Sequence, residues 1–283
     1  MRNKSPICRA AVLVPLYKES LSEIEQFSFE LTLHILGKYD IYVICPNRLI
    51  NYVNLLSRKY DMRFQIKVFD NKNFSSIYSY NRLMTSISFY NAFIDYEYVL
   101  IVQTDALVLS DQIEYWCDIG YSYIGAPWFN KSKDGLEDYT FLGVGNGGFS
   151  LRKVKSFIDV LSVKRYIPNT KNNTNNISPY INFFKYVINN YILAFNFKPL
   201  FPYINEDYFW GLLVPQKCKS FTVPLPEVGL SFAFEVHPRY LFDLNENKLP
   251  FGCHAWHKYD YEFWESTLKL NGINLPHHLE KSK

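Results

Sequence analysis

The stretch Tyr98-Val99-Leu100-Ile101-Val102-Gln103-Thr104-Asp105-Ala106-Leu107-Val108 decides the fold. Its first half is an apolar, β-branched run with no polar alternation, the pattern of a strand buried on both faces in the middle of a parallel sheet. The run ends in a polar triplet carrying one carboxylate and then turns apolar again. An unpaired buried charge costs several kcal/mol, so Asp105 is expected at the carboxyl end of the strand with a partner. In open α/β sheets that edge is where ligands bind. The bland alternative is a cap or turn aspartate, and this stretch alone leaves both readings open.

Upstream, the same logic repeats. Residues 10–17 (AAVLVPLY) read as a first strand, Ser20 with Glu23 as a capping box opening a helix to about Leu36, and 40–45 (DIYVIC) as a second strand. Residues 49–60 have helical spacing, 64–69 (FQIKVF) alternate as a third strand, and 79–94 read as one helix. Strands separated by connections long enough for a right-handed crossover point to a parallel, nucleotide-binding type of sheet over the first ~110 residues. Beyond it, 112–117 read as a short helix, 121–124 as a short strand and 125–128 as a turn. Residues 166–190, with an Asn- and Thr-rich tract, read as a flexible insertion, and the chain from Leu275 as a frayed tail.

Composition excludes several classes. Of the 283 residues 48% are hydrophobic and 18% aromatic, ample for a core and contrary to disorder. A net charge of +3, scattered along the chain, is too mild for nucleic acid as principal partner. The five cysteines form no C-x-x-C pair, which argues against a zinc knuckle and fits buried thiols in a reducing compartment. No apolar run approaches the roughly 20 residues of a spanning helix. The expectation is a cytoplasmic protein, with peripheral association at the inner face of the membrane allowed.

Few polar residues interrupt apolar or glycine-rich context: Asp105, Asn146, Glu206, Asp207 and His254. Each has a plain reading. Asn146 would be a turn residue, Glu206 and Asp207 first-turn acids favoured by the helix dipole, and His254 a hydrogen-bonded core histidine. The four glycines of Gly143-Val144-Gly145-Asn146-Gly147-Gly148 demand unusual φ values or close approach of a ligand. Taken in order, one carboxylate after a central strand, a glycine-rich segment, an acidic pair and a late histidine suggest a divalent cation with a general base. Oxygen donors with one nitrogen suit Mn²⁺ or Mg²⁺.

Four blocks carry a resemblance: residues 96–106 (Y-x-Y-x-L-I-x-Q-T-D-A), 144–152 (V-G-N-G-G-F-S-L-R), 205–210 (N-E-D-x-F-W) and 250–256 (P-F-G-C-H-A-W). Through them the chain resembles glycosyltransferases of the GT-A type, more narrowly a family of uncharacterised bacterial glycosyltransferase-like proteins, over about 12–264. The resemblance implies a single GT-A-like catalytic domain spanning 1–283: a mixed, mostly parallel sheet flanked by helices, with a nucleotide-binding half near 10–110 and an acceptor-binding half near 111–265. It also implies a UDP- or GDP-sugar donor and a glycan or lipid-linked acceptor, as in assembly of a bacterial surface polysaccharide. Gln103, Thr104 and Asp105 then correspond to the metal loop, with Gln103 in place of the usual first acid, and the metal ligands would be Asp105 and His254, with His257 the weaker candidate. Asn146, Gly147 and Gly148 would lie beside donor and acceptor. Asp207 would be the general base of an inverting reaction and Glu206 would position a hydroxyl. Pro15 and Tyr17 would meet the nucleobase, Arg82 would reach a phosphate or else sit on a solvated helix face, and Trp128, Tyr208 and Trp210 would stack on sugar or pack in the core. The runner-up readings are a nucleotidyltransferase and a catalytically inactive sugar-nucleotide or glycan binder.

Overall fold

Three parallel strands open the chain: β1 (Cys8–Pro15), β2 (Asp40–Pro46) and β3 (Gln65–Phe69). They are linked by α1 (Glu23–Leu36) and by α2 (Ile50–Lys59), the latter entered through a 3₁₀ turn at Asn47–Leu49. Helices α3 (Ile77–Met84) and α4 (Ile87–Asn91) lead to β4 (Tyr96–Val102). These and the later elements come from a computed structural model that describes residues 8–131, 137–162 and 205–276. The expected insertion at 166–190 lies outside the described residues.

The second half supplies β5 (Ala106–Val108), α5 (Ile113–Ile119), β6 (Tyr123–Ile124), β7 (Ala126–Lys131), β8 (Glu137–Gly145), β9 (Phe149–Lys153) and α6 (Val154–Ser162). It continues with α7 (Glu206–Tyr208), a π-helical turn at Phe209–Leu213, α8 (Val214–Lys217), α9 (Pro226–Phe232) and β10 (Ala233–Phe234). The last elements are α10 (Pro238–Leu244), β11 (Gly252–His254) and α11 (Tyr261–Leu270).

The main sheet has the order β3-β2-β1-β4-β9-β6. β1 pairs in parallel with both β2 and β4, whereas β9 runs antiparallel to β4 and to β6. The fold is the mixed, mostly parallel α/β sheet expected from the sequence. Val12, Leu13, Val99, Leu100 and Ile101 are fully buried, which accounts for the uninterrupted apolar strands. The chain leaves β1 towards β2 and returns to β4 on its other side, so the order reverses between β1 and β4, the position where open α/β sheets form a crevice. Because β9 is antiparallel to β4, the beginning of β9 meets the end of β4: Gln103 N donates to Gly148 O at 2.8 Å. A second sheet, β10-β11-β5, brings the ends of β10 and β11 to the same place, and β7 pairs with β8 as a hairpin.

Several local expectations need correction. The capping box of α1 is Ser22 with Glu25, not Ser20 with Glu23; Leu21 is buried, so the helix starts after it. The single helix expected over 79–94 is two helices, because Thr85 turns its hydroxyl back to Asn81 O at 2.9 Å and Ser86 caps a new start by accepting from Phe89 N. Residues 126–128, expected in a turn, begin β7. Gly145 permits this, since a Cβ there would lie 2.2 Å from the Trp128 ring. Leu275, expected in a frayed tail, is buried in the core of the smaller sheet.

Candidate functional site

A cleft of about 540 Å³ opens at the carboxyl ends of β1 and β4, a volume typical of small-molecule sites. Of the residues singled out from sequence, Pro15, Tyr17, Gln103, Thr104, Asp105, Gly147, Gly148, Glu206, Asp207 and His254 line it. Distant parts of the chain therefore meet as their order suggested.

Asp105 stands between His254 and Lys258. His254 Nε2 lies 3.3 Å from its Oδ1 and Lys258 Nζ 3.0 Å from its Oδ2. Burial opposes the charge, yet these two neighbours hold the carboxyl far below the usual carboxylate range. His254 meets Glu235 on its other side, Nδ1 to Oε1 at 2.8 Å. Burial works against its protonated form as well, but Asp105 and Glu235 together push the imidazole up to about 9.

Among the described residues no cluster of three His, Cys, Asp or Glu side chains is arranged to hold a metal. The donor set nonetheless fits a divalent cation that takes its remaining ligands from water and phosphate. A carboxylate oxygen and an imidazole nitrogen face each other at 3.3 Å, and the outer nitrogen of the imidazole is held by a carboxylate, the usual support of a metal-binding histidine.

Asp207 faces the cleft from the first turn of α7. Gly147 N donates to its Oδ2 and its neighbour Tyr208 N to Oδ1, both at 2.9 Å, so each oxygen keeps room for another partner. Burial raises its pKa. Glu206 is differently placed: it is 3% exposed, and both its oxygens accept from Arg152, at 2.8 and 3.0 Å. Arg152 is itself fully buried on β9 and also donates to Tyr90 Oη. Burial pushes the Glu206 carboxyl upward, against the pull of Arg152. The expectation that Glu206 positions a hydroxyl thus meets a carboxylate already occupied by the protein.

Arg82 and Asn146 fall outside the cleft lining, as do His257, Trp128, Tyr208 and Trp210. Arg82 is exposed on α3, on a different side from its neighbours Tyr80 and Asn81, which do line the cleft; the 100° rotation per helical residue separates them. Of its two sequence readings, the solvated face is the observed one. Asn146 is fully buried, and its Oδ1 accepts from Gly148 N and Phe149 N at 3.1 and 3.2 Å. It also carries the positive φ (83°) that the sequence suggested for the glycines. Gly147 and Gly148 are small for space instead: a Cβ on the first would lie 2.4 Å from Glu206 Oε1 and one on the second 2.2 Å from His254 Nε2. Thr104 lines the cleft but gives its hydroxyl to Glu25 at 2.9 Å. Trp210 is wholly buried in the core, whereas Trp128 and Tyr208 stack on each other at 6.3 Å beside Asp207.

Sequence reasoning missed Glu235, Lys258, Arg152 and Tyr80. Glu235 had the same signal as Asp105, a carboxylate closing the apolar run Phe232-Ala233-Phe234. Tyr80 lines the cleft with a buried hydroxyl that has no hydrogen-bond partner among the described residues.

Residues 63–254, more than half of the chain, match the family described as Protein of unknown function (DUF5672). The chain belongs to that family. No curated protein matches this DUF5672 member in sequence. Among solved structures it overlaps mouse xyloside xylosyltransferase 1 with a TM-score of 0.49 at 9% identity, over 87% of this chain and 97% of that one. It overlaps the glycosyltransferase GlyE of Streptococcus pneumoniae with a TM-score of 0.47 at 12% identity, over 98% of this chain and 66% of that one. The 4-diphosphocytidyl-2C-methyl-D-erythritol synthase of Anaerococcus prevotii gives 0.36 at 9% identity, over 64% and 84%. Overlaps this loose assign no chemistry, which has to be argued from the cleft itself.

Proposed function

We propose that this protein is a GT-A-like glycosyltransferase that moves a sugar from a nucleoside-diphosphate donor to a hydroxyl of a glycan or lipid-linked acceptor. One observation carries the reading: a single cleft holds a carboxylate–histidine pair suited to a cation, with Lys258 beside it, together with a half-buried, backbone-held aspartate with room to accept a proton. Breaking the bond between sugar and diphosphate leaves negative charge on the phosphates. Lys258 is placed to bind it, and Asp105 with His254 would hold a Mn²⁺ or Mg²⁺ ion whose charge stabilises the departing diphosphate. Glu235 keeps the His254 ring oriented. Asp207, raised in pKa by burial, accepts the proton of the attacking hydroxyl as the new glycosidic bond forms, a contribution of typically 10²–10⁴-fold. A base on the acceptor side favours inversion at the anomeric carbon. Pro15 and Tyr17, which line the cleft, would meet the base of a UDP- or GDP-sugar. Arg152 clamps Glu206 and so fixes the turn that presents Asp207; Glu206 is a positioning residue in this reading. Nucleotidyl transfer is less well supported, because Lys18, the basic residue after β1, is spent on Glu25 at 2.6 Å.

The test is calorimetry and product analysis with a panel of UDP- and GDP-sugars, with and without Mn²⁺. Wild type is expected to bind a donor and turn it over slowly by hydrolysis, faster with acceptor. Asp207→Asn is expected to lose at least 10²-fold in turnover while its donor Kd stays within about two-fold. Donor binding without any turnover in wild type points to an inactive binder, and retained turnover in Asp207→Asn removes Asp207 as the base.

A further inference from the structure

A second cleft, of about 520 Å³, lies on the outer side of Lys258. Its walls are Tyr139 from β8, His237 and Tyr240 at the start of α10, and Tyr259 and Asp260 ahead of α11. Tyr139, Tyr240 and Tyr259 are 44%, 36% and 38% exposed, so each contributes aromatic surface to the cleft wall. Tyr139 lies 4.7 Å from Tyr240 and 5.1 Å from the His237 ring, centroid to centroid, with Phe129 packed behind all three. Arg239 grips Asp260 through two hydrogen bonds, tying the starts of α10 and α11 together. His237 and Asp260 both hold left-handed backbone, at φ 51° and 53°. Such conformations cost a non-glycine residue of order 1–3 kcal/mol and persist only where the surroundings fix them. The backbone at these two points of the cleft wall is therefore held by its surroundings.

Three links join it to the first cleft. Lys258 lines both. Glu235, which holds His254, is followed directly by Val236 and His237 of the second cleft. On β7, Trp128 reaches Glu235 and Tyr208 while the next residue, Phe129, supports the tyrosines.

We propose that this aromatic cleft binds the acceptor, a saccharide chain of two or more rings, whose terminal hydroxyl it delivers to Asp207. The inference rests on the glycosyl-transfer reading. Exposed aromatic surface beside a guanidinium–carboxylate pair suits pyranose rings, which present an apolar C–H face and an equatorial belt of hydroxyls: the aromatic surface takes the first and the charged pair the second. Binding energy collected here, remote from the reacting bond, aligns the terminal ring.

The experiment screens the full chain against immobilised oligosaccharides built from hexose, deoxyhexose, N-acetylhexosamine and uronic acid units. Affinities of the retained ones are then measured by calorimetry for wild type, Tyr139→Ala, Tyr240→Ala and a control, Tyr115→Ala, exposed on α5 away from both clefts. Both cleft variants are expected to lose at least ten-fold in affinity with melting profiles like wild type, and Tyr115→Ala to match wild type. Tyr240→Phe, which keeps the ring, is expected to retain binding and guards against a folding defect in the alanine variants. No saccharide retained by wild type, or equal affinity in the alanine variants, overturns the inference. If donor hydrolysis by wild type is present in the same preparation, that failure belongs to the second cleft alone; if it is absent, the glycosyl-transfer reading has failed.

Discussion

Gly148 shows how a single missing side chain shapes the site. A Cβ there would meet His254 at Nε2, Cδ2 and Cε1, all within 2.7 Å. The ring would have to swing away from Asp105, since Glu235 holds it at the other nitrogen. Gly148→Ala is therefore expected to weaken Mn²⁺ binding by at least ten-fold, read by calorimetry, while the fold is kept because φ at this position is ordinary. Metal affinity unchanged from wild type would show that His254 is not a ligand. Asp105, Asp207 and His254 were legible in sequence because each interrupts an apolar or glycine-rich context. Glu235 carried the same mark, a carboxylate closing an apolar run, and was passed over; Lys258 carried none, since a lysine between His257 and Tyr259 resembles any solvated charge. The reversed roles of Asn146 and its glycine neighbours were beyond reach, because the residue types admit a strained backbone at any of them.

At the scale of elements, α1 is tied to the site by its own cap. Glu25 accepts from Ser22 N and Oγ, both at 2.8 Å, from Thr104 Oγ1 at 2.9 Å, and pairs with Lys18 at 2.6 Å. It is 6% exposed. Burial alone would raise its pKa, but Lys18, Ser22 and Thr104 bring it below the ordinary value. A depressed native pKa adds stability above the unfolded value of about 4.3, and that stability is lost as pH falls through the native value. Glu25→Gln is expected to cost about 1–3 kcal/mol at pH 7, measured by urea unfolding, with the gap to wild type shrinking below pH 4. A gap independent of pH would mean that the carboxylate's charge contributes nothing. The elements themselves were well marked: β1 to β4 fall within two residues of their expected bounds, since continuous apolar runs between polar turns leave little choice. The break between α3 and α4 was hidden, because serine and threonine serve equally inside a helix and at its ends.

For the molecule as a whole, the decisive contact is Arg152 with Glu206. It joins β9 of the main sheet to the chain that returns at α7; Arg152 is fully buried and Glu206 nearly so. Arg152→Met would leave a buried carboxylate without its partner, expected to cost about 3–5 kcal/mol. The double variant Arg152→Met/Glu206→Gln removes both charges and is expected to recover a substantial part of it. Denaturant midpoints check both, and a single variant within 1 kcal/mol of wild type would show that the pair is not needed for stability. The pairing was invisible in sequence, where its members stand far apart: Glu206 reads as a first-turn acid or a group that positions a hydroxyl, and Arg152 only as the end of the glycine-rich block.

The chain crosses from the large sheet to the small one within Gln103, Thr104 and Asp105. His254 and Glu235 ride on the small sheet, Asp207 and Gly147 on or against the large one. Asp207 and the Asp105–His254 pair thus depend on two sheets that share one core, in which Phe149 of the large sheet packs against Phe232 and Phe251 beside the small one. A small shift of one sheet against the other would reset the spacing between Asp207 and that pair while leaving the internal geometry of each untouched.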